Sequence, residues 1–243
     1  MAPKLPDKIV ILRRAPRGGI AAPARGYGGG QFIPAEIWQQ ERRKAAEGMP
    51  DLLDRFSDQM QYYRQVYEMS LEVQGFPDYI QRKKWVPLDA TEHQMKVAIR
   101  QAYDDAFQLG WRAAGNLSTP PNQTLVKKTR IDEYIYLRKF LKDISDGAGR
   151  MPYDVRMDYY AFAARELYNL GFVLANLDPR RRITWKLGKT EKHCELCPEI
   201  AAKGPIPVRD FVDQYAAKQI LPQSGRLPCL GRYCDCRLEE SFA

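Results

Sequence analysis

All five cysteines of this 243-residue chain fall between Cys194 and Cys236. They form two groups, Cys194-Glu-Leu-Cys197 and Cys229-x4-Cys234-Asp-Cys236. Two thiolates separated by two residues sit on one tight turn, near enough to share an ion. A second pair returning about thirty residues later completes the four tetrahedral ligands of a structural zinc site. Buried free thiols and disulfides are the competing readings. The odd count and close spacing favour a metal over a disulfide framework. Thiolate ligands favour zinc over magnesium or calcium. Cys194 and Cys197 make the first pair. The second is open among three candidates: on an extended chain Cys234 and Cys236 face opposite sides, so one of them is expected to join Cys229. His193 adjoins Cys194 and is a further alternative. Four protein ligands close the site and leave no place for a reacting water, so a structural role is expected and no catalytic residue is assigned.

Other chemistry finds little footing. The chain has no Walker-type phosphate loop, no Gly-x-Gly-x-x-Gly and no His-Glu-x-x-His, and Gly28-Gly29-Gly30 lacks a following Lys-Ser/Thr. There is no Gly-x-Ser-x-Gly elbow either. Cys194-x2-Cys197 can be read as a redox pair, but such pairs stand at strand-to-helix junctions of α/β folds, and here a long helical region precedes it. The carboxylates are scattered through amphipathic helices as solvated faces, and His93 reads as an ordinary surface residue. No small-molecule substrate is implied, and an enzyme is not expected.

The elements that must position the cysteines are mostly helical. Segments Ile37 to Gly48 and Asp51 to about Gly75 mix apolar and charged residues, with Leu53, Phe56, Met60, Tyr63 and Val66 at helical spacing. Phe76-Pro77-Asp78 and Val86-Pro87-Leu88-Asp89 break the pattern. Thr91 is expected to cap a helix to about Ala114, a further helix to run from about Lys127 to Ser145, and a last long one from Pro152 to about Asn176. Ile99, Ala102, Ala106, Leu109 and Ala113 form one stripe; Tyr160, Ala163, Leu167, Leu170 and Leu174 form another. Each passes a Leu-Gly-aromatic step, Leu109-Gly110-Trp111 and Leu170-Gly171-Phe172. Amphipathic helices commonly share such spacing, and the small residues predict close helix–helix contact. Ile183 to Leu187 alternates and reads as a strand, Val208 to about Gln219 as a short helix, and Asp235 to Glu239 as a closing strand paired with the first. The fold class expected is mainly α: a helical body (residues 35–178), a small C-terminal α+β cysteine knuckle of zinc type (179–243) and an extended N-terminal arm (1–34).

The arm carries Pro3, Pro6, Pro16, Pro23 and Pro34, and sets Lys4, Lys8, Arg13, Arg14, Arg17 and Arg25 against Asp7 alone. Such a segment orders only against a partner. A second basic run is Arg180-Arg181-Arg182. With a net charge of +8, these arginines are the candidate contacts for double-stranded DNA or an acidic protein surface, against the plainer reading of a solvated basic surface. No apolar stretch suits a membrane span, and Lys8-Ile-Val-Ile-Leu-Arg13 is too short and too soon interrupted for a signal peptide. A cytoplasm-like compartment is expected, with no membrane partner.

One series of residues carries a family likeness. A helix ending in Asn169-Leu-Gly-Phe172 leads to a strand with Trp185, then Cys194-x2-Cys197, a Gly204-Pro205 turn, and a terminal Cys234-Asp-Cys236-Arg-Leu238. Over roughly residues 130 to 240 this resembles the Mu F-like head morphogenesis proteins of tailed bacteriophages, also called minor head proteins. In that family a Trp-bearing strand leads to Cys-x2-Cys and a Pro-rich stretch to His-Pro-x-Cys-Arg-Cys. Three departures stand out. The family's histidine falls at Gly231, the middle arginine is Asp235, and the helix's Thr-Glu has only Ala163-Ala-Arg-Glu166 as its nearest counterpart. The resemblance implies a low-copy virion protein acting in head assembly or DNA delivery beside the portal or major capsid protein, assembled in the bacterial host cytoplasm, with Cys229 replacing the histidine as ligand. A zinc-ribbon nucleic-acid-binding regulator is the alternative reading.

Overall fold

The computed structural model describes residues 35–74, 88–116, 120, 124–148, 152–178, 180–189, 193–229, 231 and 234–242. The arm with Arg13, Arg14, Arg17 and Arg25, and the breaks expected at Phe76-Pro77-Asp78 and Val86-Pro87, lie outside these residues.

Four long helices build the body: α1 (Ala35–Gln74), α2 (Leu88–Ala113), α3 (Thr124–Ser145) and α4 (Tyr153–Ala175). The two segments expected around Pro50 are one helix. Proline removes a backbone donor and costs a helix interior about 3 kcal/mol. Here the buried stripe runs past it on both sides, through Ala45, Met49, Leu52, Leu53, Phe56 and Met60, and that packing outweighs the break. Helix α2 starts three residues before Thr91, so Thr91 caps nothing; it is buried within the helix, and its Oγ1 has no hydrogen-bond partner among the described residues. Asp89 lies in the first turn instead, where a negative charge suits the helix dipole.

The two Leu-Gly-aromatic steps meet. A side chain on Gly110 would collide with the backbone carbonyl of Tyr168, and one on Gly171 with that of Phe107. Helices α2 and α4 therefore cross backbone to backbone, and Tyr103 Oη donates to Tyr160 O at 3.2 Å nearby. The likeness of the stripes is thus the likeness of two surfaces that pack on one another.

After α4 the chain turns into a three-stranded antiparallel sheet of order β2-β1-β3, made of β1 (Arg181–Lys186), β2 (Ile206–Pro207) and β3 (Arg237–Phe242). The expected pairing holds, with Trp185 opposite Leu238 and Lys186 opposite Arg237. Alternation buries Ile183 and Trp185 on one face. Between β1 and β3 lie α5 (Leu196–Ala202), α6 (Val208–Gln214) and a 3-10 turn (Ala216–Lys218). The helix expected to reach Gln219 stops at Gln214, and Gln219 itself adopts φ 59°. Helix α5 and strand β2 have no counterpart in the sequence reading.

Helical body and knuckle share one core. An ion triad also joins them: Glu240 on β3 meets Arg42 of α1 and Arg181 of β1, each at 2.6 Å, with its side chain 9% exposed. Arg42 Nε also donates to Ala113 O at the end of α2. Among the described residues, no helix is long and apolar enough to cross a membrane.

Candidate metal centre

The cysteines reach one place from three stretches of chain. Cys194 precedes α5 and Cys197 lies on its first turn, where Cys197 N donates to Cys194 O at 3.2 Å. Their sulfurs are 3.1 Å apart, too far for a disulfide bond, and all five cysteines are free. The Sγ atoms of Cys197, Cys234 and Cys236 lie within 4.8 Å of one another, a cluster that can hold a metal ion. Cys229 reaches the Cys194 side of the group, and Cys236 Sγ stands 3.7 Å from His193 Nδ1.

The sequence reading placed only one of Cys234 and Cys236 at the site. That is corrected here: residues 234–236 precede β3 and are not strand, so the strict alternation does not apply and both sulfurs turn towards Cys197. Asp235 between them points the other way. Its carboxylate accepts the Lys189 N–H and fills the space over Gly188, where a side chain would collide with it. Asp235 therefore clips the loop after β1 to the knuckle. Gly231 has φ 73°, and a Cβ there would strike the carbonyl of Gln223, so no histidine fits at that position.

The thiols share protons as a packed group does. Hydrogen bonding with Cys234 and then Cys236 pushes the Cys197 thiol far up. The same bond to Cys197, first among its causes, holds Cys234 down at about 3. Burial raises Cys194, but its hydrogen bonds with Cys197 and Cys229 leave it lowered; Cys229 is pushed up to about 11, chiefly by burial. A metal ion binding thiolates displaces the protons such a group shares. The three sulfurs of Cys197, Cys234 and Cys236, within 4.8 Å of one another, can hold a metal ion, and thiolate donors suit zinc, whose ligand sulfurs lie roughly 3.8 Å apart.

The arginine run beside the knuckle is engaged with its own chain. Arg180 pairs with Asp178 at 2.7 Å, Arg181 with Glu240 and Asn176, and Arg182 Nη1 donates to Pro205 O at 3.2 Å. Sequence reasoning missed two features. The roles of Asp235, Gly188 and Gly231 leave no spacing signal. Nor does the pairing of two deep carboxyl groups, Glu133 on α3 and Glu166 on α4, each of which raises no suspicion alone. Comparison with protein-family models, with curated proteins and with solved structures finds no match.

Proposed function

We propose that this chain is a structural and assembly protein of a tailed-phage virion, a minor head or head–tail protein that contacts the portal or capsid. Its C-terminal knuckle is held by one structural zinc ion. The observation that carries the reading is the cluster of Cys197, Cys234 and Cys236, with Cys194 against Cys197, at the end of a helical body. They follow a Trp-bearing strand in the chain order of the Mu F-like head proteins.

Cys197, Cys234 and Cys236 supply three ligands, and Cys194, at 3.1 Å from Cys197, the fourth. Cys229 and His193 flank the set. Bound zinc supplies folding free energy and not reaction chemistry, because four ligands complete its shell. In this role the zinc is a staple for the knuckle. The chain pins the ends of β1 and β3, and the Glu240 triad fixes that sheet to α1. The basic arm, rich in arginine, reaches for a neighbouring virion protein or packaged DNA. The zinc-ribbon regulator gains no support from the arginines at the knuckle, which bind within the chain.

The test is composition. Particles are purified from a lysate, heads are separated from tails, and copies of this chain are counted by quantitative mass spectrometry. A fixed copy number in heads is the expected result. Recovery only from the soluble fraction would sink the virion reading.

A further inference from the structure

A cleft of ≈ 420 Å³ opens beside the cysteines, where α1, α4 and the knuckle meet. Met49 and Leu53 of α1 and Arg165 and Tyr168 of α4 line it together with Cys234 and Cys236. Its charged side chains are Asp54, Arg165, Asp235 and Arg237. Two of these are engaged within the knuckle. Arg237 Nη2 pairs with Glu239 on its own strand at 3.0 Å, and the Asp235 carboxylate accepts the Lys189 N–H. Asp54 is exposed. Arg165 stands apart. It is half-buried, its guanidinium lies 5.7 Å from the centre of the Phe162 ring, and among the described residues its side chain makes no hydrogen bond and no ion pair. A guanidinium carries five donors, and polar groups withdrawn from water are normally satisfied. Burial lowers Arg165, while the charges of Asp158, Asp54 and Cys234 act the other way.

The cysteine centre has the complementary deficit. Four thiolates around a divalent zinc leave a net double negative charge. Much of the cluster is withdrawn from water, since Cys197 and Cys236 are each 1% exposed. Charge placed there without a counter-charge is costly. The main-chain N–H groups of Cys236 and Gln223 donate to the Cys234 sulfur, and His193 Nδ1 stands 3.7 Å from Cys236 Sγ. The main-chain groups bring dipoles and no net charge.

We propose that Arg165 is the counter-charge of the zinc centre, a positioning residue on α4 that shares the cleft with Cys234 and stabilises the thiolate form of the cluster. The inference rests on the zinc reading of the cysteines and not on the virion reading. Arg165 ligates nothing. It acts through the sulfurs, as the outer partners of metal ligands do. Its place in the fold adds a consequence. Arg165 belongs to the helical body and the sulfurs to the knuckle, so the cation reaches them only when the two are packed together. Metal affinity is thereby tied to docking of the knuckle.

The test is zinc affinity of the full chain, measured by competition with a chromophoric chelator. Arg165→Met keeps the alkyl stem and removes the charge; Arg165→Lys keeps the charge and removes the planar fork. The Met variant is expected to bind zinc roughly tenfold to a hundredfold more weakly, and the Lys variant to stay close to the unaltered chain. Arg180→Met removes a cation already paired with Asp178 and should leave the affinity unchanged. Cobalt(II) in place of zinc separates loss of charge from loss of a ligand. In Arg165→Met the ligand-field bands should keep their tetrahedral pattern, while the sulfur-to-cobalt charge-transfer band moves to longer wavelength, because sulfur electrons are held less tightly without the cation. Equal weakening by Met and Lys would assign the effect to shape and overturn the proposal, as would collapse of the tetrahedral bands in the Met variant. Zinc bound equally by every variant would overturn it and leave the centre standing. An unaltered chain that takes up no zinc would remove the centre and this inference with it.

Discussion

At the residue scale the centre depends on where each sulfur sits. Cys197 is buried and touches Cys194, Cys234 and Cys236, so it is the hub. Cys197→Ser is expected to abolish stoichiometric metal and to unfold the knuckle, whereas Cys229→Ser retains the metal, as read by metal analysis of the purified variants. Loss of metal in both would move Cys229 into the ligand set. A second prediction concerns Gly231. Gly231→His should destabilise the chain by about 1–3 kcal/mol through strain at positive φ and the collision with Gln223 O, measured by denaturant unfolding. The sequence made the cysteines legible because ligand spacing is a local property. It could not select the ligands, because that depends on residues 234–236 leaving the strand before β3 begins, which Asp235 and Lys189 decide across a long separation. The pairing of Glu133 and Glu166 was illegible for the same reason: α3 and α4 must first be packed before the two share a cleft.

At the element scale two contacts set the geometry. Glycines 110 and 171 let α2 and α4 cross at backbone distance. Gly110→Ala should cost about 1–3 kcal/mol by overpacking, visible as a lower thermal midpoint with the helical signal retained below it. The stripes that predicted this contact were readable because helical periodicity and small residues repeat in sequence. Continuation of α1 through Pro50 was not, since local propensity opposes it and only burial of the stripe on both sides decides the outcome. The second contact is Glu240, shared by Arg42 and Arg181. Removing its charge takes a shared anion from two partly buried guanidinium groups. Glu240→Gln should therefore cost about 1–3 kcal/mol and raise hydrogen exchange in β3 before that in α2. Equal exchange in both elements would assign the sheet's docking to the shared apolar core instead.

At the scale of the whole molecule, stability carries the signature of both polar sites. Glu133 and Glu166 titrate at about 8 and about 7 when folded, against an ordinary 4.5, so between those values the folded chain binds more protons than the unfolded one. Their contribution is complete below about 4.5 and is lost as pH rises through about 8, with a slope of up to about 1.4 kcal/mol per pH unit for each group. Glu133→Gln should flatten that slope and stabilise the chain above neutral pH, as denaturant midpoints at matched metal content will show. The thiolates act in the other direction, since protons compete with the ion and acid releases it. The central claim is the metal centre itself, and native mass spectrometry of the full chain, with zinc supplied and after chelation, tests it most directly. The account predicts one zinc per chain, loss of that ion on chelation together with opening of the knuckle, and no zinc in Cys197→Ser or Cys234→Ser. A chain that folds fully without bound metal, or keeps zinc in both serine variants, would contradict it.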